Sequence, residues 1–270
     1  ESAIELPGVS VAVEPVRYYP NTTLASHILG HMGKMPSGQE DKYLNREEGK
    51  TYSKGDTVGI SGIEKSYEEQ LRGVDGYKKV QVDALGRITR ELDVSEPKSG
   101  DTVYLSIDKD LQEDTENALK GVLEALRVGG TYKSKYGNKT FSSAAKNAAS
   151  GAVIAIDAKN GDVLSMASYP NYDPNKFVNG ISYEDYQALQ PKNKNDVLAA
   201  NPQVNLATQG VFQPGSTFKM VTGMAAIDNG LSPNYAIQDT GVIRLGGPKS
   251  RPFADLIWHK SRSNHGYTDL

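Results

Sequence analysis

The chain has 270 residues, 37 % of them hydrophobic and 23 % charged, with a formal net charge of −3, which suits two modest domains or part of a larger protein. Its weakly acidic balance gives no reason to expect a nucleic-acid partner, which favours a basic surface. Cysteine is absent, which excludes disulfides and thiolate chemistry within these residues. No stretch approaches the ~18 apolar residues of a membrane-spanning helix. The start ESAIELPG has neither Met nor a signal-peptide pattern, so we expect a fragment.

Gly and Pro divide the first 99 residues into short pieces of mixed secondary structure. Apolar alternation predicts a strand over residues 9–20 and a hairpin over residues 77–92. Residues 61–76 lie between them and predict a helix, because Ser61 and Glu64 have the spacing of a capping box. These patterns indicate an α+β region.

A turn-rich joint at residues 96–101 precedes a change of pattern. The chain beyond it predicts, in order, a strand over residues 102–108, a helix over 109–126, an exposed Lys-rich loop or insertion over 129–150 and a hairpin over 151–168. Together with the apolar helix predicted after residue 217, these elements favour an α/β layer.

Serine and lysine three residues apart can form a nucleophile and its base, but the bare spacing is common. It occurs here at Ser95/Lys98, Ser106/Lys109, Ser143/Lys146 and Ser216/Lys219. A proline lies within the first pair, the second begins in a predicted strand, and the third lies in the polar Lys-rich segment, where nothing would desolvate its lysine. Only the fourth pair opens an apolar helical stretch.

The surroundings of Ser216 suit nucleophilic catalysis. Residues i and i+3 share a helix face, so Lys219 can reach the serine hydroxyl, and Pro214-Gly215 turns the chain sharply into the helix. Free N–H groups in the first turn can stabilise an oxyanion. A lysine takes the serine proton only where its pKa is lowered, and the apolar residues that follow predict a buried helix. Serine is also a common cap, so the residues alone leave open that Ser216 merely caps the helix while Lys219 is solvated.

Eight segments along the chain carry a family resemblance. They are PVRYYP, LASHILGHMG, GISGIEKSYEEQLRGVDG, VDALGR, LSIDKDLQ, GAVIAIDAKNGDVLSMASYPNYDPNKF, FQPGSTFKMVTGMAAIDNG and HGYTDL. In sequence and in order they resemble the class B penicillin-binding proteins, the monofunctional D,D-transpeptidases that cross-link peptidoglycan. The resemblance implies an α+β pedestal over residues 1–97. It is followed by an α/β penicillin-binding (serine acyltransferase) domain over residues 98–270 that is incomplete.

The resemblance also implies an activity. Ser216 would be acylated by the penultimate D-Ala of a stem pentapeptide ending in D-Ala-D-Ala, with Lys219 as the base, before an amine of a neighbouring stem takes the acyl group. β-Lactam antibiotics would be trapped at the same serine, and acyl transfer would need no cofactor. A membrane anchor outside this chain, a position at the extracytoplasmic face of the bacterial cell membrane, and glycosyltransferase and cell-wall morphogenesis partners are implied in the same way.

Two further motifs, Ser-x-Asn and Lys-Thr/Ser-Gly, follow the nucleophile in the family. Here Ser232-Pro233-Asn234 comes too soon after the predicted helix, and Lys98-Ser99-Gly100 precedes the nucleophile. We interpret both as chance matches. We therefore expect the true motifs beyond Leu270 and expect these residues alone to be inactive.

His259 and His265 lie six residues apart in polar chain predicted to be irregular, where two surface histidines are the ordinary interpretation. Some elongation-type members of the family, however, bind zinc through two aspartates, a histidine and a later cysteine. By approximate position, Asp239 matches the first aspartate, His265 matches the histidine, and His259 stands where the second aspartate is expected. The resemblance thus implies a structural zinc site whose cysteine lies beyond Leu270.

Two other functions stay open at this level. A penicillin-recognising sensor or a β-lactam hydrolase would use the same serine and lysine, and its acyl-enzyme would have a different lifetime. A non-catalytic module would bind morphogenesis partners through the pedestal and would lack the two later motifs.

Overall fold

Short helices and two-stranded antiparallel sheets build this chain, which a computed structural model describes over residues 15–44, 52–53, 55–193 and 199–269. The chain divides into two units, Glu1–Gly210 and Val211–Leu270. The domain boundary predicted between residues 97 and 98 falls inside the first unit, and it stays a prediction. No helix in the described ranges combines the length and apolar character needed to cross a bilayer.

The first unit contains most of the elements. Its helices are α1 (Ser26–Leu29), α2 (Glu40–Leu44), α3 (Gly62–Ser66), α4 (Glu68–Leu71), α5 (Lys109–Val128), α6 (Tyr183–Ala188) and α7 (Leu206–Gln209). Its strand pairs are β1 (Met32–Lys34) with β2 (Thr57–Gly59), β3 (Tyr77–Val82) with β4 (Ile88–Ser95), β5 (Thr131–Ser134) with β6 (Gly137–Thr140), and β7 (Gly151–Ile156) with β8 (Val163–Tyr169).

Helix α5 and the β7–β8 hairpin form as the sequence predicts. Asp108 caps α5 by accepting a hydrogen bond from Leu111 N, and Gly129 ends the helix in a left-handed conformation with φ +68°. Leu119 and Leu123 pack with Ala167 of β8 in a buried cluster. Burial of each leucine stabilises this pairing of helix and hairpin by about 2 kcal/mol.

The prediction of one continuous helix within residues 61–76 is wrong, because this region forms two short helices, α3 and α4. Tyr67, with φ −115° and ψ 24°, separates α3 from α4. Ser61 makes no side-chain cap bond, since its hydroxyl lies 3.1 Å from Nδ1 of His31. Glu64 is bound by the Arg17 guanidinium and the Tyr19 hydroxyl. Both side chains of the expected capping box therefore bind tertiary partners.

Two predicted strands are not formed in the described structure. Residues 9–14 of the first lie outside the described residues, and residues 15–19 form no strand. The backbone N–H and C=O of Tyr19 are instead bonded by the side-chain amide of Asn175, each at 2.9 Å. A side chain thus takes the place of a neighbouring strand for these backbone groups.

The second predicted strand that is not formed is that over residues 102–108. The Ser106 hydroxyl donates to Val163 O at 2.9 Å, and Asp108 N donates to Leu164 O at 2.9 Å. These bonds tie the segment to the start of β8 without a ladder. The loop predicted over residues 129–150 is also more regular than expected, because it contains the β5–β6 hairpin.

The second unit begins at Val211 and contains shorter elements. They are a 3-10 turn (Gly215–Thr217), α8 (Phe218–Asp228), β9 (Ile237–Asp239) paired with β12 (Gly266–Thr268), β10 (Val242–Arg244) paired with β11 (Pro252–Ala254), and α9 (Leu256–Ser261). The chain around the two late histidines is therefore not irregular throughout, because α9 and β12 occupy much of it.

Candidate active site and metal centre

Ser216 lies in the 3-10 turn directly before α8, and Lys219 is the second residue of that helix. Pro214 leads into the turn with φ −65°. Gly215 has φ +57°, a left-handed conformation that favours glycine, with open space where a Cβ would stand. Ser216 therefore enters the helix from a tight turn and is exposed at its N-terminal end.

Helix α8 is apolar, as predicted, but the prediction that it is buried is wrong for the described residues. It has no buried residue, and Met220 and Met224 are 75 % and 66 % exposed. Within the described part of its unit, α8 packs closely only against the turn that precedes it. Burial that would desolvate a lysine is therefore not supplied by these residues.

The Ser216 hydroxyl and the Lys219 amino group share no hydrogen bond within the described part of the chain. Both side chains are exposed and can rotate in water. Their positions on successive turns of one helical stretch still allow them to meet. The arrangement places a hydroxyl and an amino group within reach of each other, and no described residue of the unit encloses them.

Three side chains of the second unit converge on one point. Asp239 ends β9, Asp255 precedes α9 and His265 precedes β12. One ligand atom from each lies within 4.8 Å of the others. Nδ1 of His265 is 2.9 Å from Oδ2 of Asp239 and 3.2 Å from Oδ2 of Asp255. The antiparallel register places Asp239 opposite Gly266, which brings the aspartate beside the histidine.

Hydrogen bonds control the charge of this cluster. The backbone N–H groups of His265 and Gly241 donate to Asp239 at 3.0 and 2.7 Å and hold the pKa of that carboxyl well below its ordinary value. The hydrogen bond to Asp239 in turn raises the pKa of the His265 imidazole. The three side chains thus form a charge-assisted cluster.

His259 lies outside this cluster, so the structure brings together only two of the three ligands predicted from the sequence, Asp239 and His265. His259 is exposed near the C-terminal end of α9, one turn after Asp255. Oδ1 of Asp255 caps α9 by accepting from Trp258 N at 2.6 Å, and this leaves Oδ2 to reach His265. Asp255 therefore occupies the place expected for His259, because the helix cap aims its carboxylate at the histidine.

The donor set of the cluster fits zinc. Two carboxylates and an imidazole are ligands that zinc binds at about 2.0–2.2 Å. The ligand atoms of Asp239, Asp255 and His265 are already close enough to surround one ion after small side-chain rotations. His265 is exposed, so a fourth ligand has access from solvent.

The two motifs interpreted as chance matches have local structural roles. The Ser232 hydroxyl accepts from Asn234 N at 3.3 Å within a turn. Lys98 and Val74 exchange backbone hydrogen bonds at 2.8 and 2.9 Å in an isolated bridge. Each motif is thus accounted for by bonding within its own unit.

The sequence analysis missed a buried polar cluster in the first unit. Gln112 is 1 % exposed and binds both backbone groups of Met166. Glu116 accepts from Gln112 at 2.7 Å, from Ala25 N at 2.8 Å and from the Asn171 amide at 3.2 Å. No short motif marks these residues. The one available signal is that Gln112 shares a face of α5 with the buried Leu119 and Leu123, two and three turns later.

Comparison with known proteins places the chain in a family. The model of the penicillin-binding protein dimerisation domain matches residues 1–105, and that of the penicillin-binding protein transpeptidase domain matches residues 151–262. Together the two matches cover more than half of the chain. The chain belongs to the penicillin-binding proteins, which confirms the predicted resemblance and the fold class of an α+β pedestal followed by a penicillin-binding domain.

Within that family the chain is similar to peptidoglycan D,D-transpeptidases named MrdA. It is 32 % identical to the protein of Acinetobacter baumannii over 100 % of this chain and 34 % of the relative. It is 33 % identical to the protein of Escherichia coli over 96 % of this chain and 36 % of the relative. The chain therefore spans about a third of the length of these curated relatives.

Solved structures show the same similarity. A complex between penicillin-binding protein PBP2 and MreC from Helicobacter pylori matches with a TM-score of 0.65 and 32 % identity, over 94 % of this chain and 39 % of that chain. PBP2 of Pseudomonas aeruginosa in complex with WCK 5153 matches with a TM-score of 0.64 and 29 % identity, over 94 % of this chain and 43 % of that chain.

Proposed function

We propose that the protein is a peptidoglycan D,D-transpeptidase that acts through an acyl-enzyme on Ser216. The observation that carries the proposal is the position of Ser216 directly before α8, with Lys219 one turn later, inside the segment that the transpeptidase family model matches. Similarity to MrdA proteins supports the same reaction.

The reaction needs a nucleophile, a base and a site for developing charge. Oγ of Ser216 attacks the carbonyl carbon of the penultimate D-Ala while its proton passes to the uncharged amine of Lys219. The C–N bond to the terminal D-Ala breaks, and that residue leaves as the amine after it takes up a proton. An amine of a second stem peptide then attacks the ester and restores the serine. N–H groups of the 3-10 turn that precedes α8, that of Ser216 among them, stabilise the oxyanion in both steps.

A fluorescent penicillin tests this proposal, because a β-lactam acylates the same serine and leaves slowly. The whole protein at its natural length is expected to be labelled covalently. Ser216→Ala abolishes labelling, whereas Ser232→Ala, in the chance Ser-x-Asn match, retains it. Persistent labelling of the Ser216 variant would sink the assignment.

The lifetime of the acyl-enzyme separates the alternatives that share this serine. A transpeptidase keeps the penicilloyl group for a long time, while a β-lactam hydrolase releases it within the catalytic cycle. Cross-linking of stem peptides by the same preparation separates a transpeptidase from a sensor. A protein that is never acylated would instead favour the non-catalytic module.

We also propose that Asp239, Asp255 and His265 hold a structural zinc ion. The convergence of their ligand atoms within 4.8 Å supports this proposal. A bound zinc would supply a cross-link between the β9–β12 pair and the start of α9, and it would not take part in acyl transfer.

We propose further that the protein acts at the extracytoplasmic face of the bacterial cell membrane, with morphogenesis and glycosyltransferase partners. A solved complex between the related PBP2 of Helicobacter pylori and MreC supports a partner of the MreC type. Co-purification of the whole protein with an MreC homologue tests this assignment, and failure of the two proteins to co-purify would overturn the MreC-type partner.

A further inference from the structure

The β5–β6 hairpin carries a concentration of positive charge that the proposed reaction does not use. Residues 129–150 contain four lysines and no acidic residue, in a chain whose net charge is −3. Three of the four, Lys133, Lys135 and Lys139, lie in the hairpin and are exposed. With Tyr136 they form what we call the basic tip. It lies between the two segments that the family models match, so neither match assigns it a role.

The hairpin is well ordered by its own hydrogen bonds. The hydroxyls of Thr131 and Thr140 are 2.9 Å apart, and the Ser134 hydroxyl donates to Gly137 O at 2.9 Å across the turn. The Tyr132 ring packs against Gly121 of α5 so closely that a Cβ on this glycine would lie 2.7 Å from the ring. The hairpin is thus seated on α5, and its tip is presented in a defined shape before any ligand binds.

The charge of the basic tip is largely available for a partner. Lys135 pairs with Asp114 of α5 at 3.2 Å, but both side chains are about two-thirds exposed, and such surface pairs are weak. Lys133 and Lys139 form no ion pair within the described ranges. Lys139 lies opposite Tyr132 in the register and shares the face of the hairpin that meets α5, whereas Lys133 lies on the other face. The ammonium groups therefore line both faces of the tip, where a flexible polymer that wraps around it can bring a carboxylate to each.

Tyr136 adds a second type of contact. It is 86 % exposed and lies in the turn between β5 and β6, with Nζ of Lys135 5.0 Å from the centre of its ring. A tyrosine ring has an apolar face and a polar edge. That face can stack on the C–H face of a sugar ring while neighbouring ammonium groups bind acidic substituents of the same sugar chain.

We propose that the basic tip is a second binding surface, for a glycan that carries repeated carboxylates. That this glycan is un-cross-linked peptidoglycan rests on the proposed function. That it carries carboxylates and sugar rings rests on the lysines and the tyrosine of the tip itself. A polymer with repeated charges meets several lysines at once, which strengthens individually weak contacts. A lipid surface fits less well, because the tip offers no large aliphatic or tryptophan side chain for insertion. The surface would hold the strand on which the serine site acts.

Binding of defined probes to the whole protein tests the proposal. The probe is a soluble, un-cross-linked peptidoglycan strand with intact stem peptides, and the reference probes are neutral chitin oligosaccharides and vesicles that contain anionic phospholipid. The variant K133Q/K135Q/K139Q is expected to bind the strand about tenfold more weakly, as the loss of three exposed ionic contacts implies. Tyr136→Ala weakens binding as well, and Tyr136→Phe retains it.

The matched control K79Q/K192Q/K249Q removes the same charge from exposed lysines elsewhere and is expected to change strand affinity less than twofold. An unchanged affinity of the tip variant, an equal loss in the control, or vesicle binding as strong as strand binding would each overturn the proposal. Penicillin is expected to label Ser216 in the tip variant to the same extent as in the unaltered protein. Loss of labelling in the unaltered protein, with strand binding still dependent on the tip, would overturn the proposed reaction and leave the binding surface in place.

Discussion

The side-chain amide of Gln112 on α5 hydrogen-bonds both backbone groups of Met166 on β8, with Nε2 donating to the carbonyl at 2.9 Å and Oε1 accepting from the N–H at 2.8 Å. The same Nε2 donates to Glu116, which also accepts from the backbone of Ala25. The buried amide of Gln112 and the carboxylate of Glu116 thus together link the long helix, the hairpin and the residue before α1. Apolar packing alone would not specify this register between the three elements.

Replacement of this amide is expected to destabilise the first unit. Gln112→Leu keeps the volume but leaves the N–H and C=O of Met166 without partners, at a cost of about 3 kcal/mol in the free energy of unfolding. Urea denaturation measures the change. Gln187→Leu, at an exposed position of α6, is the matched control and is expected to change stability by less than about 0.5 kcal/mol. Equal effects of the two substitutions would contradict the role assigned to Gln112.

The buried His31 is expected to make stability depend on pH. It is 8 % exposed and stacks on Phe177 with ring centres 3.9 Å apart, and burial lowers its pKa to about 4. The unfolded chain, with an ordinary histidine pKa near 6.5, therefore takes up the proton first. Stability is complete above about pH 6.5 and falls as the pH decreases towards 4, by up to about 3 kcal/mol. Burial lowers the pKa of His27 as well, which adds to the fall.

Urea midpoints measured between pH 4 and pH 7 test this expectation. His31→Asn removes one titrating group and makes the dependence on pH shallower. His259→Asn, which changes an exposed histidine on α9, is the matched control. A slope that is the same in all three proteins would show that His31 does not titrate in this range.

The proposed zinc site makes a prediction that distinguishes Asp255 from His259, one helical turn later on α9. Asp255→Asn and His265→Asn each remove a ligand and are expected to weaken zinc affinity at least tenfold, whereas His259→Asn leaves it unchanged. Zinc content after dialysis against a chelator and the rise in melting temperature on zinc addition measure the difference. Zinc lost from the His259 variant but kept by the Asp255 variant would restore the ligand set expected from the sequence.

Lys219 is expected to control the rate of acylation. Lys219→Ala removes the proposed base and is expected to lower the rate of penicillin acylation at Ser216 by about 100-fold or more. Lys219→Arg does not restore the rate, because a guanidinium does not give up its proton. Lys260→Ala, an exposed lysine on α9, serves as the control. Acylation at the unaltered rate in Lys219→Ala would assign the proton to another group.

Much of the local structure could be predicted because its causes lie within a few residues. Asp108 and Gly129 mark the two ends of α5 by capping and by a left-handed turn. The β3–β4 and β7–β8 hairpins follow from apolar alternation on both sides of a turn. The tight turn at Pro214-Gly215 before Ser216 could also be predicted from the sequence, since only local backbone geometry decides it.

The errors occurred where distant partners compete for the same groups. Residues 102–108 have a strand-like pattern, yet a strand needs a neighbour, and these residues bond singly to the start of β8. Ser61 and Glu64 have the spacing of a cap, yet His31 and Tyr19 bind them. A local sequence pattern does not indicate which of two possible hydrogen-bond partners a side chain binds in the folded protein.

The sequence by itself determined the family, helix α5, the β3–β4 and β7–β8 hairpins and the serine–lysine pair at the head of an apolar helix, because each depends on short patterns or on motifs in order. Only the tertiary structure decided that Asp255, and not His259, joins Asp239 and His265, since a helix cap and an antiparallel register set which side chains meet. It also showed α8 exposed among the described residues. Apolar character is a property of the chain, whereas burial depends on what packs against it.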